Sequence, residues 1–201
     1  PEVMALYPTW WGVLPTWFSS EVIARFPVEG NVICGGYEKV IYRADWRVLG
    51  TGALPRVPLE GAVVRDEVDV ADLVSERAHR YGVPGVSPGF PDMKILPDPA
   101  DPAQDLFDGG RRVPRGRAEA FTLHGLLPAT PGRLVVRSAP EAAASVRVRV
   151  DGREVSAVTM EATEGWVEAE VPFTPTGATA RVELVNEGPG DFVSYHLWML
   201  Q

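Results

Sequence analysis

Cysteine occurs once, at Cys34. The chain therefore has no internal disulfide, and its cysteine use does not separate a reducing compartment from an oxidising one. Lysine is nearly as scarce: of 19 basic residues only Lys39 and Lys94 are lysine, the rest arginine. With abundant Ala, Gly, Pro and Val, that skew points to a GC-rich genome and says nothing direct about function. The three histidines, His79, His124 and His196, form no metal-spaced Cys/His cluster. A Gly-rich phosphate loop and a Gly-x-Ser-x-Gly elbow are both missing. No run approaches the roughly 18 apolar residues of a membrane-spanning helix. Positive charge is in deficit, with a net charge of -8 and a pI near 4.9. That argues against nucleic-acid partners, which need a clustered basic surface.

What is present fits a folded chain. At 201 residues, 45% hydrophobic and 23% charged, it is long enough to bury a core and too apolar for wholesale disorder. Twenty glycines and 19 prolines imply many turns and short elements, not a helical bundle. The expected class is α+β, mainly β. A small mixed α/β part covers 1–83, a Pro/Asp-rich connection covers 84–110, and an antiparallel β-sandwich covers 111–201. The opening on Pro1 reads as a piece of a longer polypeptide.

In the first part, strands are expected at 3–7, 22–26, 31–34 and 38–43. Between the first two, Trp10, Leu14, Trp17 and Phe18 fall at helical spacing, although Gly12 and Pro15 interrupt it. Asp45 is a candidate N-cap for a turn through Trp46. A helix follows in DVADLVSERAHRYGV, with Asp69 as N-cap, Val70, Leu73, Val74 and Tyr81 on one stripe, and Gly82 just past its end. In the last ninety residues, strands are expected at 121–123, 133–137, 145–150, 154–159, 166–171, 179–185 and 192–199. The hairpin VRVRVDGREVSAV is the strongest local signal. Valines alternate with arginines, and Asp151–Gly152 supplies the positive-φ turn.

Catalytic signals are weak. Glu76 and His79 share a helix face, but a metal site of that kind needs a second such pair, so solvated helix residues or an ion pair are the expectation. Cys34 precedes Gly35–Gly36 at a strand end, with no neighbouring base to activate it; a small buried thiol is expected. Aromatic residues remain. Trp166 and Trp198 lie inside strands and are expected to be buried. Trp10, Trp11, Trp17 and Trp46, with Asp45, are candidates to stack on and hydrogen-bond a sugar ring; Asp191 and His196 are further candidates in the sandwich.

The segments LVVRSAP, VRVRVDGREV, GWVEAEVPF and ARVELVNEGPGDFVSYHLWML resemble the galactose-binding-like jelly roll of carbohydrate-binding modules. The resemblance implies a glycan ligand and a structural calcium at one edge of the sandwich. Glu119 and Asp191 would be its ligands, with Ser194 standing where such modules often carry a carboxylate. YPTWWGVLPTWF, GNVICGGYEKVIYRADW and DVADLVSERAHRY give the whole chain a likeness to the extracytoplasmic C-terminal region of bacterial multi-pass, mannosyltransferase-like membrane glycosyltransferases. Trp10–Trp11–Gly12 lacks the Asp and Tyr of the oligosaccharyltransferase WWDYG motif, so that acceptor-binding role does not carry over.

These readings converge on a non-catalytic accessory domain of a membrane glycosyltransferase, on the periplasmic or outer face of a bacterial membrane. It would bind or orient a glycan, a lipid-linked sugar or an acceptor. The alternative is a structural domain without a sugar site, packing on the membrane portion of its own polypeptide.

Overall fold

In the computed structural model, the backbone is described for residues 2–6, 19–28, 37–45, 50–51, 54–87, 91–97 and 105–201, and side chains for 54–87, 91–97, 106 and 108–201. The chain forms two compact units, Pro1–Thr51 with Ile95–Phe107, and Gly52–Lys94 with Asp108–Gln201.

The first unit holds β1 (Glu2–Leu6), β2 (Ser19–Val28) and β3 (Tyr37–Asp45), an antiparallel sheet in the order β1-β3-β2. The short β4 (Gly50–Thr51) pairs in parallel with Leu106 and Phe107. The strands expected at 3–7, 22–26 and 38–43 fall on β1, β2 and β3. Asp45 ends β3, and the turn expected through Trp46 lies outside the described residues. Trp10, Trp11, Trp17, Cys34 and Trp46 lie outside the described residues.

The second unit is a two-layer antiparallel sandwich. One sheet contains β8 (Ala118–Leu123), β10 (Ala144–Val150), β11 (Arg153–Met160) and β13 (Ala180–Asn186), in the order β11-β10-β13-β8. The facing sheet is built on β12 (Val167–Phe173), β9 (Gly132–Pro140) and β14 (Phe192–Leu200). All seven strands expected in the last ninety residues are present. Alternation explains why: Val146, Val148 and Val150 on β10 and Val182 and Leu184 on β13 point into one core. There they meet Leu134, Val136, Val171, Phe173, Leu197 and Met199 of the other sheet. The β10–β11 turn takes φ 50° at Asp151 and 76° at Gly152, as Asp-Gly requires.

The free edge of β14 is shared. Its first residues pair with the end of β7 (Asp105–Val113), and His196–Leu200 pair with β5 (Val64–Asp69), with His196 opposite Asp69. The edge thus forks at Tyr195, whose carbonyl accepts from Val70. Close approach at the fork depends on Gly110, where a Cβ would stand 2.6 Å from the Ser194 carbonyl oxygen.

Several expectations are corrected. Residues 64–69, read as part of the N-terminal half, are a strand of the sandwich sheet. The stretch 84–110 is not only a connection: it contains β6 (Asp92–Pro97), which pairs with β7, and most of β7 itself. Pro91 precedes β6 and Pro97 is its last residue, so proline content read as loop marked strand ends instead. The helix α1 is short, Leu73–Ala78, and is capped by Asp72, whose Oδ1 accepts from Val74 and Ser75 at 2.6 and 3.0 Å. Asp69 is the same residue type three positions earlier, but the β14 ladder claims it. Leu73 and Val74 are exposed, not buried. Arg80, with φ 50°, takes the left-handed position after the helix, and Gly82 instead bridges to Ala120.

Candidate functional site

The outer face of the β12-β9-β14 sheet carries a buried polar and aromatic layer. Arg137, 1% exposed, projects from β9. Its Nη1 donates to Asp108 at 3.0 Å, its Nε and Nη2 donate to Glu168 Oε1 at 3.0 and 2.8 Å, and Nη2 also donates to the Leu54 carbonyl. The guanidinium lies 4.5 Å from the Trp166 ring and 4.6 Å from the Trp198 ring. Segment 54–64 packs over this layer. Its amides at Arg56 and Val57 donate to Glu168 Oε2, and Val57, Ala62 and Val64 cover Trp198. Trp166 and Trp198 are therefore buried, as the sequence suggested, but around an arginine on the outer face and not in the sandwich core.

His196, proposed as a sugar contact, is 4% exposed and stacks on Trp198 at 4.3 Å. Burial, reinforced by Arg137, holds its pKa down near 3, so the ring is neutral. Nearby, burial raises Asp69 to about 7, helped by Asp108, Asp72, Glu67 and Glu76. Burial also raises Asp108 to about 6, against the opposing pull of Arg137.

Glu119 and Asp191, the expected calcium ligands, do not make a shell for that ion. Glu119 is fully buried, its Oε2 accepts from the Tyr81 phenol at 2.7 Å, and burial pushes its pKa to about 7. Asp191 accepts from the Arg115 amide at 2.9 Å and lies 3.6 Å from Arg112. Calcium takes about six to eight oxygens, several of them ionised carboxylates. Among the described residues, the group of three whose ligating atoms lie within 4.8 Å of one another is Asp69, Asp108 and His196, and it includes neither Glu119 nor Asp191.

A concave feature among the described residues of this unit lies elsewhere. A cleft of about 670 Å³ opens between the end of α1, residues 80–87, and β7. Arg80, Arg111, Arg112 and Arg181 line it, with Tyr81 on one wall. Its two carboxylates, Glu76 and Asp92, are each matched to an arginine: Glu76 to Arg111 at 2.8 Å and Asp92 to Arg112 at 3.7 Å. Arg112 also meets Glu141, and Arg181 donates to the Arg80 carbonyl at 3.2 Å. The Tyr81 ring lies against Phe121, and its hydroxyl is tied down by Glu119. Sequence reasoning missed this cleft. The adjacent pair Arg111–Arg112 was a signal, but its partners Arg80 and Arg181 are brought in by the β8 edge, where Gly82 bridges Ala120 and Thr122 donates to the His79 carbonyl. Glu76, expected to be solvated or ion-paired, lines it in an ion pair with Arg111. His79 turns to Asp66 at 3.2 Å.

No protein family is matched by the sequence, and no curated protein matches it. Solved structures of similar shape include carbohydrate-binding modules. One is a module of Cellvibrio mixtus lichenase 5A in complex with cellotriose, 10% identical, covering 69% of this chain and 98% of that one, with a TM-score of 0.47. Another is the C-terminal module of a laminarinase from Zobellia galactanivorans, 9% identical, covering 67% and 98%, with a TM-score of 0.43. A third, in complex with calcium and xylotriose, is 12% identical, covers 66% and 98%, and has a TM-score of 0.39. No residue role is carried over from them.

Proposed function

We propose that this chain is a non-catalytic glycan-binding domain, and that the arginine-lined cleft takes a sugar bearing a carboxylate or phosphate. The observation that carries this reading is the concentration of four arginines around a cleft of about 670 Å³ in a chain whose net charge is -8. Guanidinium groups in a concave, partly apolar setting suit bidentate recognition of an anionic oxygen pair. Tyr81, Val83 and Val86 offer the apolar wall that a sugar face needs. Matched carboxylates hold these arginines in place and leave no unpaired acid in the cleft to move a proton, which suits binding and not catalysis.

The parent protein we propose is a membrane glycosyltransferase, with this domain on its extracytoplasmic side; that part rests on the sequence resemblance. Trp10, Trp11, Trp17, Asp45 and Trp46 stand as a second proposed contact region, tested by Trp10→Ala and Trp11→Ala. The cleft is tested by titrating neutral and uronate- or phosphate-bearing oligosaccharides into the 201-residue chain. Binding confined to the anionic sugars, weakened at least about tenfold by Arg112→Ala and by added salt, is the expected result. Equal binding of neutral and anionic sugars, or none, overturns the assignment.

A further inference from the structure

The fork in the β14 edge brings three ligating side chains from three strands to one point. His196 on β14 stands opposite Asp69 on β5 in the ladder register, and its Nδ1 lies 3.8 Å from Asp69 Oδ1. The same Nδ1 lies 3.9 Å from Asp108 Oδ2 on β7. These separations are too long for hydrogen bonds. Two donors held about 2.1 Å from one ion in a tetrahedral shell stand about 3.4 Å apart, so each carboxylate is a few tenths of an ångström from sharing an ion with His196, and all three ligating atoms lie within 4.8 Å of one another. Asp69, with 47% of its side chain exposed, is the ligand able to make that movement.

A second observation points the same way. His196 is more than nine-tenths buried, yet no hydrogen bond reaches either ring nitrogen: Nε2 is enclosed without a partner, and Nδ1 faces only the two distant carboxylates. Stacking on Trp198, with the rings 15° from parallel, fixes the direction in which Nδ1 points. A buried imidazole nitrogen that faces two carboxylate oxygens beyond hydrogen-bond reach is left unsatisfied, and a cation bound by all three groups would satisfy it. Asp108 is held in place by Arg137, which donates to the same Oδ2 that faces His196, so the ion would share that oxygen with the guanidinium.

We infer that Asp69, Asp108 and His196 form a binding site for a first-row divalent metal ion such as zinc, which clips β5 and β7 to β14 at the fork. One imidazole and two carboxylates suit zinc or its neighbours in the series; calcium prefers an all-oxygen shell. The site shares no residue with the arginine-lined cleft, so it stands or falls separately from glycan binding.

The test uses the untagged 201-residue chain, stripped with chelator and titrated calorimetrically with Zn²⁺, Mn²⁺ and Ca²⁺. One equivalent of Zn²⁺ should bind at least about tenfold more tightly than Ca²⁺ and raise the thermal midpoint. Asp69→Asn should weaken Zn²⁺ at least about tenfold without lowering the metal-free midpoint, which also shows that the variant folds. His79→Gln with His124→Gln should leave Zn²⁺ binding intact, since those rings, 5.6 Å apart, are the other imidazoles able to capture the ion. Absence of saturable Zn²⁺ binding, preference for Ca²⁺, or Zn²⁺ affinity unchanged in Asp69→Asn overturns the inference.

Discussion

Glu119 offers a pH test of the sandwich interior. Its carboxyl is fully buried on β8, and one oxygen accepts from Tyr81. Burial raises its pKa from an ordinary 4.5 to about 7, against the lowering effect of the Tyr81 and Ser194 hydroxyls. The folded chain therefore holds this proton more tightly than the unfolded chain. Below about pH 4.5 both states are protonated and Glu119 carries no penalty. As pH rises from 4.5 to about 7 the unfolded chain ionises first, stability drains away, and the loss levels off above 7. At about 1.4 kcal/mol per tenfold change in acidity, the full penalty is about 3 kcal/mol. Asp69 and Asp108 titrate with the same sign, while His196, held near 3, works in the opposite sense as pH rises from 3 to 6.5. The informative quantity is thus a difference between variants. Glu119→Gln keeps an oxygen to accept from Tyr81 and removes the titration. Urea unfolding should find it close to the wild type at pH 4.5 and more stable by up to about 3 kcal/mol at pH 8. A difference that does not change with pH, or a wild type that is the more stable at pH 8, would refute the reasoning.

Arg137→Met should cost about 3–5 kcal/mol by chemical denaturation, because it leaves Asp108 and Glu168 buried without their cation; a loss below about 1 kcal/mol would show that those carboxyls neutralise instead. Gly110→Ala should cost at least about 1–3 kcal/mol, since its Cβ would meet the Ser194 carbonyl at 2.6 Å in backbone that cannot swing aside. Unchanged stability there would mean that β7 does not approach β14 as described. Asp72→Ala should lose the cap of α1 and about 1 kcal/mol, with faster amide exchange at Val74 and Ser75, whose hydrogens it accepts.

Local signals were sufficient for the sandwich strands. Alternation in VRVRVDGREVSAV reports which residues face the core, and Asp151–Gly152 names its own turn, because both depend only on near neighbours along the chain. The mainly antiparallel β class follows from those same patterns, as does the burial of Trp166 and Trp198. Where a local reading failed, packing was the reason: Asp69, expected as the cap, is taken up by the pairing of β5 with β14, and Asp72 caps the helix instead.

Other features had no local signature at all. LVVRSAP reads as a strand ending in arginine, yet Arg137 is the buried centre of a layer whose partners Leu54, Asp108 and Glu168 come from three other segments. Glycines 109 and 110 read as loop, but Gly110 is needed because two strands pass too closely for a Cβ. The arginine-lined cleft and the Asp69–Asp108–His196 cluster share this character. Sequence by itself determined the strands, the hairpin and the core-facing valines, since these follow from repeating patterns a few residues long. Only tertiary structure decided which charges meet, because ion pairs and clefts depend on the register and the fork of β14, which join residues dozens of positions apart.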